Sequence, residues 1–144
     1  MNLLIKDSAN RFKTFKAEFK ELTSDDSVFY SSFNLAGTTD NTISISNWTS
    51  TYVMDNYFAA IGESIPENRG RKLADEWKDK LFASLSNQFQ LTEIKSKKYP
   101  SDYGWSFERG YFSIDIRYLS RRKGAASLLL LSIHYTHLRE TRKD

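Results

Sequence analysis

The longest patterned stretch of this chain is WSFERGYFSIDIRYLSRRKGAASLLLLSIHYTHL, which runs from Trp105 to Leu138. Its first arm ends in an alternation of apolar and polar residues, the period of two that is typical of a half-buried strand. The second arm begins as an apolar run and then alternates in the same way. A basic segment with a glycine separates the two arms and favours an antiparallel hairpin. The predicted apolar face holds Phe112, Ile114, Ile116 and Tyr118 from the first arm and Leu129, Leu131, Ile133 and Tyr135 from the second.

The opposite face of this hairpin is predicted to be polar. A slip of one residue in the pairing would expose the apolar set of one arm, so the choice of face is well specified. Leu128 and Leu130 share the polar face, and a helix, a strand or a partner is expected to cover them. If the first arm is one strand, Glu108 points to the other side. The polar face then carries Arg109, Tyr111, Ser113, Asp115, Arg117, Ser132, His134 and Thr136.

Length and composition indicate one α+β domain over residues 1–144, with a polar tail at 139–144. The chain has 40% hydrophobic and 15% aromatic residues and no cysteine, which excludes disulfides and thiolate chemistry. We expect no metal or other cofactor. The lack of cysteine fits a reducing compartment, and we expect a cytoplasmic location. No apolar run is long enough for a membrane span, so we expect no membrane insertion.

The charge is unevenly distributed along the chain. Residues 1–88 have ten Lys/Arg and twelve Asp/Glu, a balance of −2, whereas residues 89–144 have eleven and six, a balance of +5. The basic excess therefore belongs to the predicted hairpin region. This is a mild indication of an acidic partner and makes nucleic-acid binding possible.

Three helices and three further strands are predicted outside the hairpin. Apolar residues at spacings of three and four indicate the first two helices, and a capping box at Ser64–Glu67 with an early proline indicates the third. Short alternating runs bounded by turn residues indicate the strands. The predicted helices are 8–22, 50–62 and 65–85, and the predicted strands are 28–35, 42–48 and 89–94.

The predicted order is α-β-β-α-α-β-β-β, an antiparallel sheet of about five strands with helices packed mainly on one face. This order resembles that of PAS-type and profilin-like sensor or adaptor domains. The resemblance is one of architecture and rests on no sequence motif. Fold similarity of this kind does not identify a function.

The polar face of the hairpin is the first candidate site. His can move a proton and Arg can stabilise phosphate charge, so this face could support acid–base cleavage of RNA. It is similar to the arrangement in small ribonuclease toxins of the barnase and ribosome-dependent type, although Glu108 on the other side weakens a Glu–Arg–His set. A solvated sheet face is the simpler interpretation. The candidate catalytic residues are His134, Arg109, Arg117, Asp115 and Tyr111.

A basic and aromatic end of the sheet is the second candidate site. If the last three strands form a meander, its residues gather at one edge and could bind a nucleic-acid backbone and unstacked bases. A solubilising rim is the alternative. The segment 121–123 is expected at the far end, away from this patch. The predicted members of the basic and aromatic patch are Lys95, Lys97, Lys98, Tyr99, Tyr103, Trp105, Arg139 and Arg142.

The leading functional hypothesis is a non-catalytic binding or regulatory module that meets a protein partner, or a second copy, through the exposed sheet face or edge. Leu128 and Leu130 on the polar face motivate it. The alternatives are an RNA-binding protein or small ribonuclease, and a small-molecule sensor with a pocket between the sheet and the helix at Val53–Ile61.

His134 and His137 are expected on opposite faces of a strand, which argues against a metal ion bound by both of them.

Overall fold

The computed structural model describes residues 1–23, 26–47, 49, 51–85, 87–122 and 124–138. Within these residues the chain forms two helices and one eight-stranded antiparallel sheet. The elements are α1 (Asn2–Ser8), β1 (Lys16–Leu22), β2 (Asp26–Ser31), β3 (Thr39–Ser46), β4 (Tyr52–Glu63), α2 (Glu67–Ser84), β5 (Gln90–Lys95), β6 (Tyr103–Arg109), β7 (Phe112–Leu119) and β8 (Leu128–Leu138). The spatial order is β1-β2-β3-β4-β8-β7-β6-β5, so two meanders meet where β4 pairs with β8.

The prediction of about five strands with helices packed mainly on one face is wrong, and so is the predicted element order. The first segment predicted as a helix divides between a turn and β1, the second lies largely in β4, and the first arm of the hairpin folds as two strands. One helix, α2, stands between β4 and β5 where two were expected. The resemblance to PAS-type and profilin-like domains rested only on the predicted element order, so it is wrong as well.

The first predicted helix does not form, because its phenylalanines pack against residues that are distant in the sequence. Phe12 is fully buried, in a turn where its φ is 52°. Phe15 packs on Phe33, with ring centroids 4.9 Å apart, and Phe19 packs on Phe29 at 5.7 Å. The spacing of three and four residues therefore comes from a turn, which holds Phe12 and Phe15, followed by a strand, which holds Phe19.

The second predicted helix fails because β4 is a central strand. Val53, Tyr57 and Ile61 are four residues apart, and that spacing also satisfies a period of two. The burial pattern of β4 confirms a strand covered on both sides at its middle. Asp55, on the same side as Tyr57 and fully buried, interrupts the apolar alternation that would have identified the strand.

The hairpin of β7 and β8 is confirmed with its predicted parity. Phe112 opposes Tyr135, Ile114 opposes Ile133, Ile116 opposes Leu131 and Tyr118 opposes Leu129. Six of these eight side chains are between 0% and 3% exposed and belong to the main core, which is the free-energy reason for this register.

The helix predicted to open at the capping box Ser64–Glu67 and to run to about Leu85 is also confirmed, as α2, which begins at Glu67. Its start is different in detail, because Pro66 is the N-cap and no side chain caps the helix. Gly70 lies against the ring of Tyr118, where a Cβ atom would clash, so the helix approaches β7 closely. We call the side of the sheet that carries Tyr118, Ile114 and Ile133 the covered face, because α2 and Leu4 of α1 pack there. The opposite side is the open face.

Candidate functional site

The open face gathers polar side chains from four neighbouring strands. In the register of the sheet, Asn56 of β4 lies beside His134 of β8, and Ser132 of β8 lies beside Asp115 of β7. Ser106 of β6 continues the second row beside Asp115. Residues that oppose each other in an antiparallel pair point to the same side, so these five side chains form one strip across the sheet.

His134 is held through both ring nitrogens. Asn56 Nδ2 donates to Ser44 Oγ at 3.1 Å, which turns Asn56 Oδ1 toward the ring. His134 Nδ1 lies 2.6 Å from Asn56 Oδ1, so the network assigns a proton to Nδ1 as the donor. His134 Nε2 lies 2.9 Å from Ser132 Oγ, whose hydroxyl can donate to it when the ring is neutral.

Asp115 is the buried charge of the strip. Ser106 Oγ donates to Asp115 Oδ1 at 2.6 Å, and the Arg117 guanidinium donates to Asp115 Oδ2 at 3.2 Å. The side chain of Asp115 is 7% exposed and that of Arg117 is 47% exposed. His134 Nε2 lies 3.7 Å from Asp115 Oδ2. The carboxylate is therefore compensated by one hydroxyl and one guanidinium.

The imidazole of His134 is shifted toward its neutral form. Burial lowers its pKa below the usual 6.5, Asp115 opposes that shift, and the positive charge of Arg117 adds to it. With both ring nitrogens hydrogen-bonded, His134 orders the strip.

A groove of about 570 Å³ lies over this strip. Its walls are apolar at Met54, Phe58, Leu119 and Leu130, and its polar lining includes Glu108, Asp115, Arg117, Ser132 and His134. The groove follows β7 from Leu119 to Phe112, which is roughly 23 Å at about 3.3 Å per residue. Its volume lies in the range of ligand sites, whereas its length is that of an extended chain segment.

Four of the five predicted catalytic residues line this groove: His134, Asp115, Arg117 and Tyr111. Arg109 does not. It opposes Phe112, its guanidinium lies 4.8 Å from the Phe89 ring, and it donates to Gln88 Oε1 at 3.1 Å. A two-residue turn at Gly110 and Tyr111 causes the difference, because it reverses the chain and moves Arg109 to the covered face.

The same turn brings Glu108 to the open face, where the sequence interpretation had excluded it. Glu108 opposes Ser113 and lines the groove. The expectation that it points to the core side is wrong. Gly110, with a φ of 58°, is the signal that could have located the turn, since glycine between two alternating runs favours a tight hairpin.

The two leucines predicted to meet a partner are half-buried on the open face. Leu130 opposes Ala60 and Arg117 and lines the groove. Leu128 opposes Leu119 and lies beyond it, at the start of β8. Leu130 is thus part of the candidate site and Leu128 extends its apolar end.

The aromatic residues of the predicted basic end are engaged within the fold. Tyr103 Oη and Trp105 Nε1 both donate to Asp75 Oδ1 of α2, at 2.7 and 2.8 Å. Burial and the Asp75 carboxylate raise the pKa of Tyr103 to about 12. Lys95 pairs with Glu93 at 3.1 Å. The contacts with Asp75 attach α2 to β6 and leave these two rings facing the covered side.

The distribution of basic residues at the sheet ends also differs from the prediction. Arg122 forms an ion pair with Asp102, and its guanidinium lies 3.6 Å from the Tyr99 ring. Arg122 therefore lies at the same end of the sheet as Lys97 and Lys98, which are exposed. The reason is that the first arm folds as two strands, β6 and β7, which places the start of β8 at this end. The end of β8 pairs with Tyr52 at the other end of the sheet. Arg139 and Arg142 lie outside the described residues.

A second buried carboxylate, Asp55, lies on the covered face. Arg11 Nε donates to Asp55 Oδ2 at 3.0 Å, and His137 Nδ1 lies 3.4 Å from the same oxygen. Asp55 is fully buried, and within the described residues its Oδ1 has no hydrogen-bond partner. His134 and His137 are on opposite faces, as predicted.

A larger cavity of about 720 Å³ lies at the start of α2, next to the connection between β7 and β8. Two of the hydroxyls on its wall are already used, because Tyr118 Oη and Ser127 Oγ both donate to the carbonyl oxygen of Ile65. Among the described residues, its charged lining side chains are those of Glu67 and Arg121. The cavity therefore offers fewer convergent side chains than the groove.

Among the described residues, no group of three or more His, Asp or Glu side chains could hold a metal ion. In the part of the chain that the structure describes, no helix has both the length and the apolar character needed to cross a membrane. Comparison with protein-family models, with curated proteins and with solved structures finds no match to this chain.

Proposed function

We propose that this protein is a non-catalytic binding module that engages a segment of a partner protein in the groove of its open sheet face. The observation that carries the proposal is a long groove with apolar walls and an ordered, buried polar floor. Such a mixture is typical of recognition sites, where apolar contacts supply affinity and a few polar groups supply specificity.

The shape of the groove supports a chain segment over a compact ligand. A length of roughly 23 Å accommodates about seven residues of extended chain. The sensor hypothesis placed a pocket beside a helix at Val53–Ile61, but these residues belong to β4.

The cysteine-free sequence fits a reducing compartment, and we place the action of the protein in the cytoplasm.

The state of the polar floor favours binding over catalysis. His134 is neutral and held through both ring nitrogens, and its hydroxyl neighbour Ser132 is only 3% exposed. The strands around the groove are paired with their neighbours, so their backbone N–H groups are used in the sheet and would not stabilise an oxyanion.

The face is a better binding surface than the edges. The edge strands β1 and β5 carry Lys16, Lys20, Glu93 and Lys95 among their exposed and half-buried residues. Charged residues on edge strands oppose the addition of another strand. A partner is therefore expected on the face.

The test is selection of a phage-displayed library of random peptides, each longer than the groove, against the wild-type protein. Peptides that bind the open face should lose binding to Leu130→Asp and keep it with Leu22→Asp, a matched change of an exposed leucine on β1. Light scattering of each variant checks its oligomeric state. If no enriched peptide depends on Leu130, the proposed function is wrong.

A ribonuclease is the second candidate, because Glu108, Arg117 and His134 stand on three neighbouring strands and line one groove. A carboxylate, an imidazole and a guanidinium can together move protons and stabilise phosphate charge. Two carboxylates against one guanidinium disfavour an anionic ligand here. Cleavage of a mixed RNA pool by the wild type, abolished in a folded His134→Ala variant, would replace the binding proposal; an uncleaved pool would exclude this candidate.

A further inference from the structure

The ionisable groups of the groove have an unequal balance of charge. Glu108 and Asp115 supply two negative charges and Arg117 supplies one positive charge. Arg117 donates to Asp115 at 3.2 Å, so these two charges offset each other. Glu108 is exposed, and its hydrogen bond within the described residues is a long one, 3.4 Å from Ser106 Oγ. Among the residues that the structure describes, one negative charge of the groove therefore lacks compensation, although the chain as a whole has a net charge of +3.

Aromatic and thioether side chains lie in the rows of the sheet next to Glu108. Tyr111 lines the groove at the turn between β6 and β7 and is 70% exposed. Its carbonyl oxygen accepts a hydrogen bond from Thr136 N at 2.9 Å, which holds the turn against β8. Met54 lies farther across the sheet, on β4, where it opposes Thr136. A side chain entering beside Glu108 meets a carboxylate together with the aromatic ring of Tyr111.

This combination suits a long cationic side chain. Lys and Arg have an apolar stem that packs on apolar surface and a charged end that seeks a carboxylate. An aromatic ring attracts the same cation through its π-electron face. An anion would instead be placed beside two carboxylates and would have to displace Arg117 from Asp115. The charge complementarity therefore selects one class of partner.

We infer that the segment bound in the groove carries a Lys or Arg whose charged end pairs with Glu108 and whose stem packs against Tyr111, with an apolar residue of the same segment lying toward Leu130 and Leu119. This inference rests on the proposed function, since it names the chemistry of the partner that the open face binds. The partner is thus a protein with an exposed basic and apolar segment.

The test uses the full chain and one peptide from the selection whose binding depends on Leu130. Fluorescence anisotropy gives the Kd of this labelled peptide and of a copy in which its Lys or Arg is replaced by Gln, each with the wild type and with Glu108→Gln. Exposed ion pairs are worth little, so we expect either change alone to weaken binding about two- to fivefold. The two changes together should weaken binding no further. Asp79→Asn, on the exposed side of α2, is the matched control and should leave Kd unchanged.

The outcomes separate this inference from the proposed function. Peptides that depend on Leu130 but lack Lys and Arg would overturn the inference and leave the binding module standing. An unchanged Kd with Glu108→Gln would do the same. Displacement of the peptide by free spermidine at equal concentration would also overturn it, in favour of a small cationic ligand. A library without any peptide that depends on Leu130 removes the proposed function itself.

Discussion

Asp115 and Asp55 are both buried in the middle of the same sheet, on opposite faces. Asp115, on the open face, is compensated by Ser106 and Arg117, which come from its own strand and the next one. Asp55, on the covered face, relies on Arg11, which is 44 residues away in the chain and has a φ of 60°. One charge is thus satisfied within the sheet, whereas the other depends on how the connection between α1 and β1 folds over it.

The two aspartates differ in how much free energy is lost when the arginine partner is removed, as well as in how far away that partner lies in the sequence. A buried carboxylate is tolerated only with a partner, and removal of that partner leaves an uncompensated charge. Asp115 keeps Ser106 and is near solvent when Arg117 is removed. Asp55 would keep only His137, in a fully buried position. The same chemical change should therefore have unequal effects on the two faces.

The largest effect is expected for Arg11→Met. This change removes the strongest partner of Asp55 and the contact that holds the strained turn at Arg11 and Phe12 to the sheet. We expect the free energy of unfolding to fall by roughly 3 kcal/mol, the lower end for a broken buried pair because Arg11 is one-third exposed. Urea denaturation followed by circular dichroism measures it. A loss below that of Arg117→Met would contradict the comparison.

A smaller effect is expected for Arg117→Met, the matched change on the open face. Arg117 is nearly half exposed, so solvent screens its pairing with Asp115. The expected loss is about 0.5–1 kcal/mol in the same assay. Since Asp115 keeps its bond from Ser106, the circular dichroism spectrum should not change.

The third prediction concerns the pH dependence that His134 adds to the open face. Its pKa in the folded chain is lowered by burial, so the unfolded chain binds its proton first as the pH falls below about 6.5. The unfolded state is then favoured, and the free energy of unfolding falls with the pH. His134→Gln removes this contribution and should show a shallower fall between about pH 7.5 and 5.5. His137 is present in both proteins, so its effect cancels. Equal slopes would mean that His134 is not shifted.

The smallest effect on stability is expected for Glu108→Gln. Glu108 is exposed at the groove and its only described bond is long, so the free energy of unfolding should stay within about 0.5 kcal/mol of the wild type. Thermal or urea denaturation checks this. A change of that size or less is what makes the variant usable as a binding probe, and a larger loss would mean that Glu108 supports the fold.

The parts predicted well from the sequence are those whose pattern and partners are local. The period of two in β7 and β8 determined which residues of the hairpin face the core, and the stripe of α2 did the same for one helix. The faces of Asp115, Arg117 and His134 followed from this parity. These three predicted catalytic residues accordingly line one groove, and Tyr111 joins them from the turn.

The parts predicted badly depend on contacts between distant segments. Phe12, Phe15 and Phe19 have a helical spacing, but their neighbours in space are Tyr57, Phe33 and Phe29. The alternation of β4 is hidden by Asp55, whose burial is stabilised by Arg11 from a distant segment of the chain. The turn at Gly110 moved Arg109 away from the groove and brought Glu108 to it.

The sequence by itself determined the polarity of each face of β7 and β8, because alternation is a property of a single strand and needs no knowledge of its neighbours. Only the tertiary structure decided which strands stand side by side, since pairing depends on where the chain reverses and on which buried groups find partners. The groove is a product of both. The alternation of β7 and β8 predicted that Asp115, Arg117 and His134 share one face. Glu108, Met54 and Phe58 line the groove because β6 pairs with β7 and β4 pairs with β8.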